Sequence, residues 1–168
     1  MYLHNLDTGD DMKQRWKVYT FWILLAEGVG ALSGWLSRDG MKAYEAGIQQ
    51  PPLSPPSWFF PIVWTILYAL MGIGAARVSL ASNGVHRSRG LNLFVLQLIV
   101  NFFWSLIFFN AQAFGLAFFW LLLLWVLVLS MILAFRKVDP PAAWLQLPYL
   151  IWLTFAAYLN LGVWILNR

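Results

Sequence analysis

Few side chains in this sequence can do conventional chemistry. The chain has no cysteine and only two histidines, His4 and His86, both in polar segments. This excludes disulfides, thiolate metal sites and a cysteine nucleophile. No group of His, Asp and Glu has metal-ligand spacing, and no acid/base pair or nucleophile constellation stands out. We therefore predict no metal site and no required cofactor.

Glu27 is the one clear charge deep inside a long apolar segment. Its small neighbours Gly30 and Gly34 form a GxxxG pattern, which lets a second helix approach closely. A charge in such a segment often marks a functional site, so one interpretation is a proton or ligand contact. The other is a protonated carboxyl that hydrogen-bonds to a neighbouring helix. A single acid without a basic partner is weak evidence for an ion-driven transporter.

Amide and indole side chains form a second group. Gln97, Asn101 and Trp104 are four and three residues apart, so they share one face of a helix. Amides in an apolar environment need hydrogen-bond partners, and this face is therefore predicted to point into a bundle. Two interpretations are open: hydrogen bonds between helices, or a contact with a ligand.

A third group lies on one face of the last apolar segment. Trp152, Ala156, Leu159 and Asn160 follow at helical spacing. A large indole one turn from an alanine leaves a step in the helix surface. A neighbouring helix or a flat ligand can fill that step.

The amino-acid composition indicates the environment in which these side chains lie. Of 168 residues, 61% are hydrophobic and 11% are charged, whereas a soluble domain carries about 25% charged residues. One soluble core of this size cannot hide so much apolar surface. The sequence therefore predicts an all-α membrane protein whose main partner is the lipid bilayer. The net charge of +4 reports topology, and no nucleic-acid partner is predicted.

Five segments are long enough to cross about 30 Å of hydrocarbon as helices. We predict one domain over residues 1–168, a bundle of five transmembrane helices. The first segment is interpreted as an uncleaved helix, because its polar leader and apolar run are longer than those of a signal peptide. A proline-rich loop is predicted over residues 37–57. The predicted spans are 18–36, 58–80, 91–109, 114–135 and 143–166.

The basic residues are distributed unequally between the two sides of this topology. Eight of the eleven lie on the side of the N-terminus, and three, Arg38, Lys42 and Arg168, lie on the other. Positive residues favour the cytoplasmic side. In a bacterial inner membrane the N-terminus would therefore face the cytoplasm.

Three segments resemble a known family. PPSWFFPIVWTILYALMG, QLIVNFFWSLIFF and PYLIWLTFAAYLN are similar to the tryptophan-rich sensory protein / translocator protein family, also called the peripheral benzodiazepine receptor family. The resemblance implies a five-helix bundle that binds porphyrins, chiefly protoporphyrin IX, and hydrophobic drug-like ligands. It also implies a homodimer.

The resemblance assigns seven positions to a ligand pocket: Trp64, Tyr68, Asn101, Trp104, Trp152, Ala156 and Leu159. In this interpretation the prolines of the long loop form a rigid lid. Trp64 reaches the bundle interior to contact a macrocycle, while Trp58 suits the interface. Arg38 and Lys42 either pair with porphyrin propionates or are solvated loop charges.

Three positions depart from the family pattern. Pro52-Leu53-Ser54 replaces a Pro-Ser-Trp of the long loop, so one loop indole is missing. Leu161 and Ile165 occupy places where many animal members have a cholesterol-recognition tyrosine and arginine, so no cholesterol recognition is predicted. Trp120 replaces an acid of some members, where it would narrow the pocket or face lipid.

Three functions follow as hypotheses. The first is a tetrapyrrole-binding membrane protein that senses, sequesters or moves porphyrin. The second is an enzyme that degrades protoporphyrin in light, with Trp64 and Trp152 as tentative catalytic residues. The third is a small secondary transporter, which the odd helix count and the single buried acid disfavour.

Overall fold

The protein is helical throughout the part of the chain that the structure describes. The computed structural model describes residues 4–82 and 84–168, and no strand occurs among them, which confirms the all-α prediction. A π-helical turn, Leu106–Asn110, continues α3. The helices are α1 (His4–Gly47), α2 (Phe59–Leu80), α3 (Val85–Ser105), α4 (Phe114–Arg136), α5 (Pro140–Trp144) and α6 (Leu147–Leu166).

Four helical segments are long and apolar enough to cross a membrane: Phe59–Leu80, Val85–Asn110, Phe114–Arg136 and Pro140–Leu166. They overlap four of the five predicted spans. α1 is not among them, although it is 44 residues long. Glu27 and the glycines and serines of its middle lower its mean hydropathy. The crossing predicted at 18–36 therefore stays a prediction.

The long loop is shorter than predicted. Residues 37–47 belong to α1, and the connection to α2 is residues 48–58, so the prediction of a loop from residue 37 is wrong. Helix-breaking prolines begin only at Pro51, and a proline disfavours helix at its own position and the one before it. The segment between Arg38 and Gly47 contains good helix formers, so α1 continues through it.

The helices bury an apolar core together with several amides, and large apolar side chains also cover the outer surface. α1 packs on α2, α3 on α4, and α4 on α6. The amides Gln97, Asn101 and Asn160 are buried, whereas Leu116 and Ile151 are exposed. Apolar side chains need no shelter in lipid, but amides need partners there. This distribution is the one expected of a membrane bundle.

One ion pair ties α2 to the start of α5. Arg77 Nε lies 2.8 Å from Asp139 Oδ2, and Arg77 Nη2 donates to Asp139 Oδ1 at 3.1 Å. One charge-assisted hydrogen bond, from Nη2, therefore holds the two side chains together. Arg77, which could snorkel to the interface on sequence grounds alone, is instead held by this pair.

Candidate functional site

A cavity of about 390 Å³ lies between α1, α2, α3, α6 and the connection 48–58. Cavities that hold drug-sized ligands have roughly 300–1,000 Å³ and mostly apolar walls with a few polar groups. The walls of this one are largely aromatic, with rings from α2, α3 and α6. It therefore has the size and lining of a small-molecule site.

All seven predicted pocket residues line this one cavity: Trp64, Tyr68, Asn101, Trp104, Trp152, Ala156 and Leu159. They come from three helices that are far apart in sequence. The Trp64 ring lies 5.4 Å from the Tyr68 ring and 6.5 Å from the Trp152 ring, centroid to centroid. The structure thus brings together residues that the sequence could only place on separate faces.

The two amide side chains of α3 have different surroundings: Gln97 is buried in the core, and Asn101 lines the cavity. Gln97 is fully buried away from the cavity, where its Oε1 accepts from the Tyr149 hydroxyl at 3.0 Å. Asn101 lines the cavity, and its Nδ2 donates to the Tyr68 hydroxyl at 2.9 Å. The interpretation of this face as hydrogen bonds between helices is therefore confirmed for both residues, and a ligand contact by Asn101 stays a prediction. Asn101 holds Tyr68 in the wall by a hydrogen bond between helices.

A second hydrogen-bonded chain fixes Trp104. Its Nε1 donates to Asn160 Oδ1 at 3.3 Å, and Asn160 Nδ2 donates to the Phe114 carbonyl at 2.9 Å. The Trp104 ring also stacks on Phe108 of the π-helical turn at 5.1 Å. Such turns are frequent at functional sites. Here the turn directs Phe108 and Phe109 toward the cavity.

The step on α6 faces the cavity and is not filled by a neighbouring helix. Trp152 and Ala156 both line the cavity. The Trp152 ring is held by Phe60, at 5.9 Å between centroids, and by Phe155, at 5.7 Å. A flat group placed against Ala156 would lie beside the indole.

The Trp152 indole N–H has no hydrogen-bond partner among the described residues, although the nitrogen is buried. Leaving a buried donor unpaired costs about 1–3 kcal/mol. The other unpaired buried side-chain atoms of the described residues, on Arg77 and Gln146, do not line the cavity. The Trp152 ring thus lines the cavity while its indole nitrogen is buried without a partner among the described residues.

The last turns of α1 contribute residues that the sequence interpretation missed. Met41, Tyr44 and Glu45 line the cavity, and residues 37–57 had been assigned to a loop. Their signal was present, because they continue the three- and four-residue spacing that starts at Gly30 and Gly34. Burial raises the pKa of Tyr44 to about 12, so the phenol is neutral at physiological pH.

The connection 48–58 covers the cavity and is fastened to α6. The Tyr158 hydroxyl donates to the Pro52 carbonyl at 3.0 Å. Gln49 N donates to Asn167 Oδ1 at 3.0 Å, and Asn167 Nδ2 donates back to the Gln49 carbonyl at 2.9 Å. Leu53, at the departure from the family pattern, is exposed and has φ 67°. These contacts hold the cover closed from the C-terminal end of α6.

The cavity carries acidic and no basic charge within the described residues. Glu27 and Glu45 line it. Arg38 and Lys42 do not; both are exposed and lie 3.8 Å and 3.5 Å from Asp39. This agrees with the interpretation of Arg38 and Lys42 as solvated charges.

Trp120 takes neither of the two roles expected for it. Its Nε1 donates to the Val100 carbonyl at 2.8 Å, which ties α4 to α3. The residue packs against the core and does not line the cavity.

Comparison with known proteins accounts for most of the chain. The model of the TspO/MBR family matches residues 22–165. The chain belongs to the TspO/MBR family. Together with the four apolar helices, this membership makes it a multi-pass integral membrane protein.

Relatives of this TspO/MBR protein occur in bacteria and animals. The tryptophan-rich protein TspO of Chlorobaculum tepidum is 39% identical over 74% of this chain and 79% of the relative. The translocator protein of Ovis aries is 38% identical over 77% and 78%. The tryptophan-rich sensory protein of Cereibacter sphaeroides is 34% identical over 93% and 95%.

Proposed function

We propose that this protein binds porphyrins, chiefly protoporphyrin IX, and other hydrophobic aromatic ligands in the cavity between α1, α2, α3 and α6. The observation that carries the proposal is the set of aromatic side chains from three helices, among them Trp64, Trp104 and Trp152, that line one cavity of about 390 Å³ beside the small side chain of Ala156. These rings would bury the apolar surface of a flat aromatic ligand and contact it face to face or edge to face.

The proposal includes α1 as a fifth membrane-crossing helix. At 1.5 Å per residue, its 44 residues extend about 66 Å, more than twice the hydrocarbon thickness. Its outward residues Phe21, Leu24 and Leu32 are large and apolar, whereas Ala26 and Ser33 are buried. The same inside-out pattern marks the other four helices, and it supports a five-helix bundle around the ligand.

The cavity also suggests how a porphyrin would be oriented. The macrocycle would lie against Ala156 with its faces toward Trp64 and Trp152, because rings favour stacked and edge-to-face contacts. Its propionates would extend toward water at the cover, residues 48–58. Arg38 and Lys42 stay with Asp39 in the structure, so the proposal assigns them no part in binding.

A titration of protoporphyrin IX into the protein in lipid nanodiscs tests binding, with quenching of tryptophan fluorescence as the signal. We expect saturable quenching in the wild type. Ala156→Phe fills the step and should weaken binding at least tenfold. Trp152→Phe replaces the indole by a smaller ring and should weaken binding about 3- to 10-fold, because part of the aromatic contact is lost.

Trp58→Phe is the matched control, because Trp58 is exposed and does not line the cavity. Its affinity should equal that of the wild type. Quenching that never saturates, or that is indifferent to Ala156→Phe, would mean that porphyrin only partitions into the lipid. The proposal would then be abandoned.

A second candidate function, light-dependent degradation of the bound porphyrin, is favoured by the closeness of Trp64 and Trp152, whose ring centroids are 6.5 Å apart. Excited porphyrin beside two indoles has electron donors in contact, with oxygen as the oxidant. Illuminating the saturated complex in air should bleach the porphyrin bands, and Trp64→Phe should stop the bleaching. Equal bleaching in the variant would reject this activity without affecting the binding proposal.

A further inference from the structure

Glu27 is a cavity residue with nothing to pair with. It lines the cavity from α1, one helical turn before Gly30. The Tyr68 ring lies directly against Gly30, where a side chain would overlap it. The Glu27 carboxylate has no hydrogen bond or ion pair within the described residues. The interpretation of Glu27 as a carboxyl bonded to a neighbouring helix is therefore not supported.

A carboxylate in an apolar site is stabilised by a counter-charge or by hydrogen-bond donors. Among the described residues, no lysine or arginine lines the cavity. The Asn101 side chain, which also lines it, donates to the Tyr68 hydroxyl. A bound ligand with a positive charge would supply the counter-charge that the described residues do not.

The rings beside Glu27 narrow the chemistry of that group. Trp64 and Tyr68 lie together in the wall, and Trp104 lines the same cavity. Aromatic faces attract cations, most strongly when water is excluded. A carboxylate beside a set of aromatic rings is complementary to a protonated amine. The cavity has both, the carboxylate of Glu27 and the aromatic rings.

We propose that Glu27 makes the cavity selective for aromatic ligands that carry a protonated amine near their ring system. The amine would pair with the Glu27 carboxylate while the rings fill the space between Trp64, Trp152 and Ala156. This inference rests on the proposed function of the cavity as a ligand site. The cavity would prefer ligands with a positive charge and disfavour ligands that place a carboxylate deep inside it.

Glu45 is the natural alternative and differs from Glu27 in depth. It follows Glu27 by eighteen residues on the same helix, which is five turns or about 27 Å. Glu45 is exposed, so its charge is screened by solvent. One small ligand cannot contact both acids, and Glu27 is the acid next to Tyr68, whose ring packs on Gly30 one turn away.

The test uses three probes with one ring system: anthracenylmethylamine, anthracenylmethanol and anthracene carboxylate. Each is titrated into the full-length protein in nanodiscs of zwitterionic lipid at constant pH, with quenching of tryptophan fluorescence as the signal. We expect the amine to bind about tenfold more tightly than the alcohol, the worth of one charge-assisted hydrogen bond. The carboxylate should bind more weakly than the alcohol.

Three variants locate the charge. Glu27→Gln keeps the size of the side chain and should abolish the preference for the amine, measured as the ratio of the dissociation constants for the alcohol and the amine. Asp39→Asn is the matched control for net charge, because Asp39 is exposed on α1 and does not line the cavity. It should keep the full preference. Glu45→Gln asks whether the mouth of the cavity selects charge instead.

The outcomes separate this inference from the proposed function. If the alcohol does not bind saturably to the wild type, the cavity is not a ligand site and both fail. If the alcohol binds but the wild type does not prefer the amine, only the inference fails, whatever the variants do. A preference removed by Glu45→Gln and kept in Glu27→Gln would place the cation site at the mouth and overturn the assignment to Glu27.

Discussion

The pair formed by Gln97 and Tyr149 gives a prediction that needs no ligand. Both residues are essentially inaccessible, at 0% and 1% exposure, and the Tyr149 hydroxyl donates to Gln97 Oε1 at 3.0 Å. Tyr149→Phe leaves this carbonyl oxygen unpaired in the core. The reverse change, Gln97→Leu, leaves the hydroxyl unpaired. Each single variant should be clearly less stable than the wild type.

The magnitude follows from what each variant leaves behind. A hydrogen bond between membrane helices is worth about 0.6 kcal/mol on average, whereas an unpaired buried polar group costs about 1–3 kcal/mol. We expect each single variant to lose about 1–2 kcal/mol. The double variant removes both polar groups together, so it should lose less than either single variant, giving a strong coupling energy.

Thermal unfolding in dodecyl maltoside, followed by near-ultraviolet circular dichroism, checks this cycle. For a chain of this size 1 kcal/mol corresponds to roughly 2–4 °C in Tm. Ile151→Val is the control: Ile151 is an exposed apolar side chain of α6, and its change should be smaller than about 0.5 kcal/mol. The reasoning is refuted if Tyr149→Phe matches this control, or if the double variant loses the sum of the two single losses.

Three further predictions follow from contacts around the cavity. Gly30→Ala places a methyl group against the Tyr68 ring, so Tyr68 must move away from Asn101. The porphyrin affinity should therefore fall at least fivefold in the quenching titration. Gly28→Ala is the control, because the space around Gly28 is open, and it should leave the affinity unchanged. Asn167→Ala removes both hydrogen bonds to Gln49, which are worth about 1–2 kcal/mol together. The cover should open more often, so the exchange of porphyrin measured by stopped flow should become about 5- to 30-fold faster. An unchanged rate would show that residues 48–58 do not control access. The excess of basic residues on the N-terminal side predicts a cytoplasmic N-terminus in a bacterial inner membrane. A fluorescent protein fused to the N-terminus should be bright, and alkaline phosphatase fused there should be inactive. The opposite pair of results would show that the N-terminus faces the other side.

Helical periodicity and family resemblance each predicted a different part of the site. The helical periods of α3 and α6 predicted that Asn101 and Trp104, and Trp152 and Ala156, share faces. Resemblance to the family predicted that these faces meet, and the structure places all seven residues around one cavity. The end of α1 was missed, because the prolines after Gln50 suggested a loop that began too early. Proline acts locally, and Tyr44 and Glu45 lie beyond its reach.

Tertiary contacts were the part that periodicity could not supply. The GxxxG pattern at Gly30 and Gly34 suggested an approach by a second helix, and the approaching group is the ring of Tyr68 within the same chain. The space at Gly30 is therefore used inside one chain. The homodimer implied by the family resemblance stays a prediction.

The polar groups around the cavity divide by whether the chain satisfies them. Asn101, Trp104 and Asn160 each have a partner on another helix, so their role is to hold rings in position. The Glu27 carboxylate lines the same cavity without a partner among the described residues. An unpaired polar atom alone does not mark a ligand site, since Gln146 Oε1 is buried without a partner in the core. Glu27 differs from it by its charge and by its position in a cavity lined with aromatic side chains. A bound protonated amine would give this carboxylate a partner, whereas a neutral aromatic ligand would only fill the space between the rings.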